Sequence, residues 1–167
     1  CRFSLEEGAK VSYSKISFKG ALSSHFDATR VLLKRDSTFK SVCLDHGQTC
    51  LRDDYRVILS GENAEVNLSG VKMLFQKNQS HTHVFVHHQA LHCRSMQLFK
   101  GVLDGYSRAS FEGKIYVDPI AQKTEAFQLN NHLVLSEGSE ADSKPNLEIF
   151  ADDVKASHGS TVGQISQ

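Results

Sequence analysis

Residues 57–68 read VILSGENAEVNL, and the fold is decided by the way two apolar alternations flank a polar corner in this stretch. Val57 and Leu59 lie two residues apart, as do Val66 and Leu68, and a period of two is typical of a strand with one buried face. The corner between them, residues 60–63, consists of Ser, Gly, Glu and Asn, which favour turns. The stretch therefore predicts two short strands joined by a tight corner.

The same pattern recurs along the chain. Further alternating pairs are Val11/Tyr13, Ile16/Phe18, Ile115/Val117, Leu133/Leu135 and Leu147/Ile149, and further corners lie at residues 68–70 and 104–105. Long helical periodicity is absent, and many strands of about three to five residues favour an all-β solenoid over a sandwich. With coils of roughly 20–25 residues, we predict about seven coils in one domain over residues 1–167, aliphatic inside and polar outside.

Composition excludes several classes of protein. The chain has 19 Lys and Arg against 19 Asp and Glu, and zero net charge argues against binding of a nucleic-acid backbone. No apolar run is long enough to span a membrane, and the first ten residues lack the apolar core of a signal peptide. We therefore expect a cytoplasmic protein. The absence of an initiator Met, and a strand-like segment at 161–165 without a helical cap, predict missing flanking domains or a partner at an open coil end.

Two groups of potential metal ligands stand out. The four cysteines, Cys1, Cys43, Cys50 and Cys93, match neither a zinc ribbon nor a disulfide scaffold. Cys43 and Cys50 could pair from neighbouring strands, but we expect free thiols. Residues 81–88 read HTHVFVHH, and on a strand His81 and His83 share one face, where two imidazoles can converge on one metal. An outward polar ladder explains the same histidines, and the pattern leaves both interpretations open.

Enzymatic motifs are weak. Ser157, His158 and Asp153 do not suit a catalytic triad, because Ser157 and His158 would point to opposite faces of a strand. A polysaccharide lyase would need carboxylates clustered around Ca²⁺, whereas Asp152 and Asp153 would alternate across a strand, and Asp153 is expected to pair with Lys155. The phosphate loop GxxxxGK[ST] is absent. We therefore predict no catalytic residues.

Six segments of the chain carry a resemblance to a known family. They are residues 111–115 (FEGKI), 121–124 (AQKT), 130–136 (NNHLVLS), 144–149 (KPNLEI), 151–155 (ADDVK) and 157–163 (SHGSTVG). In order and spacing they resemble the SufB/SufD family of the SUF iron–sulfur cluster assembly system, and the DDVK-x-SHG wording resembles its SufD branch. Before His81 the resemblance is one of general character only.

The resemblance implies a fold, partners and a site. It implies a right-handed parallel β-helix core without helical flanking domains, acting as a non-catalytic scaffold. Its partners would be SufB, through the β-helix, and SufC, through a C-terminal domain missing here. His158 matches the histidine that the family offers to a transient iron–sulfur cluster shared with SufB, whereas Ala156 stands where the family often has Cys. The isolated fragment is expected to hold no cofactor.

Two further expectations complete the sequence analysis. The coil edge at residues 147–165 is expected to pair with another chain, so the isolated fragment could form a homodimer. The alternative function is an independent metal-binding or carbohydrate-acting β-helix protein, which a titration with Zn²⁺ and Ca²⁺ would reveal.

Overall fold

The structure, a computed structural model, describes residues 1–18, 22–47 and 49–164. Every element in these ranges is a β-strand. The strands are β1 (Arg2–Leu5), β2 (Lys10–Phe18), β3 (Ser24–Leu33), β4 (Thr38–His46), β5 (Cys50–Leu59), β6 (Glu65–Leu74), β7 (Gln79–His88), β8 (Arg94–Leu103), β9 (Arg108–Val117), β10 (Thr124–Val134), β11 (Glu140–Ile149) and β12 (Val154–Gln164). This part of the chain contains no helix that could cross a membrane.

Two parallel sheets face each other across the core. The odd-numbered strands form sheet A in the order β1-β3-β5-β7-β9-β11, and the even-numbered strands form sheet B in the order β12-β10-β8-β6-β4-β2. All strand pairs are parallel, so the chain passes from one sheet to the other and advances by one rung per coil. The predicted parallel β-helix is confirmed.

The predicted coil size was wrong. Strands β5, β7 and β9 begin at Cys50, Gln79 and Arg108, so each of the two central coils takes 29 residues. Six strands in each sheet leave fewer than the predicted seven coils. Six rungs at ~4.8 Å make a stack roughly 24 Å tall. Most strands have about ten residues because the backbone remains extended through inward polar positions, which interrupt the apolar alternation.

The strand register places equivalent positions of successive coils above one another. Leu33, Leu59, His88 and Val117 align in one inner column of sheet A, and all four are fully buried. Because every rung removes a similar set of apolar side chains from water, burial is shared along the stack and does not depend on a single central cluster.

The alternating pairs gave the correct inward face in most strands but not in β2 and β10. In β10 the predicted pair Leu133/Leu135 was wrong, because Leu133 is 38% exposed and the inward residues are His132 and Val134. Val57 and Leu59 are buried as predicted, whereas Ile16 and Phe18 are 68% and 59% exposed. The inward face of β2 continues through Lys15 and Ser17. The phase was wrong there because the inward positions of β2 change from apolar to polar partway along the strand.

The coil interior is also more polar than predicted. Gln97 and Gln128 are buried on neighbouring rungs of sheet B, and Gln128 Nε2 donates to Gln97 Oε1 at 2.8 Å. Lys72 is buried as well, and its ammonium donates to Ser80 Oγ and Thr82 Oγ1. These side chains are accommodated because they bond to one another across rungs and between sheets.

Two of the predicted corners are confirmed. Residues 60–63 connect β5 to β6, and Asn63 adopts a positive φ of 57°. At the corner after β8, Gly105 has a φ of 73° and its N–H donates to Asp104 Oδ1 at 2.8 Å. The corner predicted at residues 68–70 was wrong, because these residues lie inside β6. All four cysteines are free.

Candidate metal centre at the terminal strand

One end of the stack is formed by β11 and β12. Strand β12 pairs along its whole length with β10, and within the described ranges it has a strand neighbour on that side only. Strand β11 occupies the corresponding place in sheet A, beside β9. The free backbone N–H and C=O groups of such edge strands are suited to pairing with another chain. Ile165, the last residue of the strand-like segment predicted at 161–165, lies outside the described residues.

His158 lies on this terminal strand. Its register partner is Gln128, an inward side chain that is 2% exposed. Since parallel neighbours in register point the same way, the imidazole continues an inner column of the coil. It is exposed because, among the described residues, no further rung covers it. Among the described residues, none forms a hydrogen bond or an ion pair with His158. Its ring nitrogens are therefore available to a metal ion, for which neutral imidazole is a good ligand.

The residues on either side of His158 divide between the two sides of the strand. Ala156, opposite Ala126, is half-buried and shares the inward side with His158. Ser157, opposite Phe127, belongs to the outer face. This alternation keeps the Ser157 hydroxyl away from the imidazole, as expected, and the terminal strand offers one nitrogen ligand without a neighbouring thiol.

The charged residues near the start of β12 are paired with the preceding coil. Asp153 forms an ion pair with Lys123, and Lys155 Nζ lies 3.5 Å from Glu125 Oε1. The predicted pair between Asp153 and Lys155 was wrong, because Asp153 precedes the strand and reaches the corner of the coil beside it. These carboxylates are engaged by lysines rather than grouped as a Ca²⁺ site.

His81 and His83 share the outer face of β7, as predicted, but each is bonded to a neighbouring rung. His81 Nδ1 lies 2.7 Å from Ser110 Oγ, and His83 Nδ1 lies 2.9 Å from Asp54 Oδ1. Within the described part of the chain, neither belongs to a group of three or more potential metal ligands. The structure therefore favours the outward polar ladder, and a metal at His81 and His83 stays a prediction.

Comparison with known proteins places these features in a family. The family model described as "SUF system FeS cluster assembly, SufBD core domain" matches residues 1–167. The chain belongs to this family. The resemblance noted after His81 thus extends over the N-terminal coils as well.

Named relatives agree with this membership. The chain is 37% identical over 157 residues to the iron-sulfur cluster assembly protein SufD of Escherichia coli (strain K12), a match that covers 94% of this chain and 37% of that protein. It is 31% identical over 161 residues to an iron-sulfur cluster assembly SufBD family protein of Synechocystis, covering 96% of this chain and 36% of the relative. The chloroplastic protein ABCI7 of Arabidopsis thaliana is 28% identical over 166 residues, or 98% of this chain and 34% of its own length. The chain thus spans little more than a third of these relatives.

Proposed function

We propose that residues 1–167 form the β-helix core of a non-catalytic scaffold subunit for iron–sulfur cluster assembly, which pairs with SufB and offers His158 to the nascent cluster. The observation that carries this proposal is the exposed, unpartnered imidazole of His158 on an edge strand of a SufBD core domain. A ligand at the open end of a coil can be shared with a second subunit, whereas the same ligand inside the coil could not.

The edge itself supports the pairing. Strand β12 has open backbone groups along one side, and these can bind a further extended segment by strand addition. A SufB subunit, as another member of the family, would bring a coil of the same kind to this edge. SufC would bind to parts of the longer protein beyond this core, and SufC itself would contribute the ATPase activity.

The chemistry of the site fits a shared cluster better than a catalytic centre. An imidazole nitrogen among thiolates alters the charge and potential of an iron–sulfur cluster. Ala156 provides no thiolate beside His158, so the sulfur ligands come from SufB. A nucleophilic mechanism would need a base within reach of a hydroxyl or thiol, and the nearest hydroxyl in sequence, that of Ser157, lies on the opposite side of β12.

The test is iron retention in a reconstituted complex of the full-length form of this protein with SufB and SufC. We expect His158→Ala to leave the complex assembled, as judged by sedimentation, and to lower its iron content severalfold after cluster reconstitution. The matched control is Ser157→Ala, which removes the adjacent side chain from the outer face and should keep the iron content unchanged. Equal iron content in the His158→Ala complex and the unmodified complex would refute the site.

A further inference from the structure

A second group of potential ligands lies inside the coil, remote from β12. Cys43 and Asp45 project inward from β4, and Asp53 projects inward from β5 in the opposite sheet. Their exposures are 1%, 0% and 1%, and one ligand atom from each lies within 4.8 Å of the others. Metal–sulfur and metal–oxygen bonds are about 2.3 Å and about 2.0 Å long, so small side-chain rotations bring all three ligands to one ion.

Asp45 provides an independent indication of a missing ligand. Both of its carboxylate oxygens are buried and have no hydrogen-bond partner. A buried carboxylate without a hydrogen bond is unfavourable, since it has lost its water and gained no hydrogen bond in exchange. The neighbouring anionic group, Asp53, makes burial of the Asp45 carboxylate still less favourable unless a cation or a proton lies between the two carboxylates.

Two lysines lie beside this cluster, and they form their ion pairs mainly with Asp53. Lys72 Nζ lies 3.1 Å from Asp53 Oδ2, and Lys15 Nζ forms a short contact with Asp53 Oδ1. Lys15 Nζ is also 3.6 Å from Asp27 Oδ2, and Asp27 is the more exposed carboxylate at 18%. Lys15 can therefore pair with Asp27 alone and free a position beside Asp53 for a different cation.

From this arrangement we propose that Cys43, Asp45 and Asp53 bind one divalent transition-metal ion, such as Fe²⁺ or Zn²⁺, inside the coil. Thiolate and carboxylate ligands together suit borderline cations of this kind. With Lys15 on Asp27, the thiolate and two carboxylates carry three negative charges, which balance the ion and the Lys72 ammonium. This site depends neither on His158 nor on SufB.

Binding requires the Cys43 thiol to lose its proton to solvent. Burial, followed by the nearby Asp45 carboxylate, raises the pKa of Cys43 to about 11. A bound cation reverses this preference, because the thiolate becomes its ligand and the proton is released.

The test is a titration of the chain with Co²⁺, whose thiolate complexes absorb in the near ultraviolet. We expect one Co²⁺ per chain with this absorption, its loss in Cys43→Ser, and at least tenfold weaker binding in Asp45→Asn. The matched control is Cys93→Ser, which removes another buried free thiol outside the cluster and should leave the absorption intact.

A gain-of-affinity variant guards against loss of signal through misfolding. Lys15→Gln removes the competing internal cation, so we expect it to bind Co²⁺ at least tenfold more tightly while circular dichroism shows an unchanged fold. The proposal is overturned if the unmodified chain gives no thiolate absorption, if Cys43→Ser retains it, or if Lys15→Gln fails to tighten binding. The first result would indicate that a proton shared by Asp45 and Asp53 occupies the place of the metal.

Discussion

At the scale of the residue, adjacent side chains of β12 alternate between the inward side and the outer face of the strand. Ala156 and His158 project toward the open end of the core, and Ser157 projects to the outer face. Residues two apart on a strand have Cα atoms about 6.6 Å apart, a distance that two side chains can span to reach one metal ion. Position 156 is therefore the place where a second ligand would act together with His158.

We predict that Ala156→Cys increases iron retention. A thiol at this position would join the imidazole as a second ligand on the same side of the strand, so the reconstituted complex should hold its iron severalfold longer against a chelator. Ser157→Cys is the matched control, since it adds a thiol one residue away on the outer face and should have no effect. Equal gains from both substitutions would contradict the assigned geometry.

His88 is the buried imidazole with consequences for acid stability. It lies between Leu59 and Val117 in an inner column, and its Nε2 is 2.8 Å from Ser95 Oγ. Burial, with a smaller contribution from neighbouring His87, lowers the pKa of His88 to about 3. The folded chain therefore keeps this ring neutral at pH values where the unfolded chain protonates it.

We predict that His88→Leu reduces the acid sensitivity of folding. Above about pH 6.5 the ring is neutral in both states, and as the pH falls below that value only the unfolded state gains the proton, so stability is lost. The contribution of His88 should be about 1.4 kcal/mol of unfolding free energy per pH unit. Urea denaturation at several values between about pH 6 and about pH 4 gives the unfolding free energy as a function of pH. The slope of that free energy against pH should be flatter by this amount in the variant. An unchanged slope would show that His88 is protonated in the folded chain.

At the scale of the element, the corners stack as closely as the strands. Gly61, in the corner after β5, lies against the corner after β3. A Cβ at Gly61 would come within 2.1 Å of Arg35 N and 2.4 Å of the Lys34 carbonyl carbon. The Ser60 N–H donates to Leu33 O at 2.9 Å, so the two corners cannot separate without losing backbone bonding between coils.

We therefore predict that Gly61→Ala lowers the free energy of unfolding by about 3 kcal/mol, because backbone atoms cannot yield as a flexible side chain can. Gly163→Ala is the control, since the nearest atom to its added methyl group is 3.9 Å away, and its effect should be within about 0.5 kcal/mol. Chemical denaturation of both variants measures the difference. Similar losses in the two would mean that the corners do not support each other as described.

The strands were predictable wherever inward positions are apolar. Val57 and Leu59 mark β5 correctly because burial of apolar surface alone accounts for them. Lys15 and Asp53 could not be recognised as core residues, since a charged side chain is buried only when a partner lies on another strand. Hydropathy along one strand contains no information about such partners, and this explains the wrong phase in β2 and β10 and the underestimated strand lengths.

At the scale of the whole molecule, the coil architecture followed from the repeated strands and corners, but the coil length did not. A coil of 29 residues holds two strands of about ten residues and two corners, and polar interior positions hid the full strand length. His158 was identified by family resemblance. Its exposure could not be read from the sequence, because it depends on β12 being the last rung described in sheet B.

The open end predicts self-association of the isolated chain. Strand β12 can pair with the same strand of a second copy, which would cover the exposed ends of the inner columns. We expect sedimentation to show a concentration-dependent dimer. Val162→Lys should weaken it, since this side chain is 51% exposed on the terminal rung and a charge there opposes burial. A strictly monomeric chain at high concentration would argue against the edge as a docking surface.

The most direct test of the central claim, that His158 supplies a nitrogen ligand to a cluster shared across this end of the coil, is pulsed electron paramagnetic resonance of the reduced cluster. The chain would be labelled with ¹⁵N-histidine and assembled with unlabelled SufB and SufC. We predict a ¹⁵N hyperfine coupling that disappears in His158→Ala and persists in His81→Ala. A cluster signal without that coupling, or a coupling that survives the loss of His158, would contradict the account.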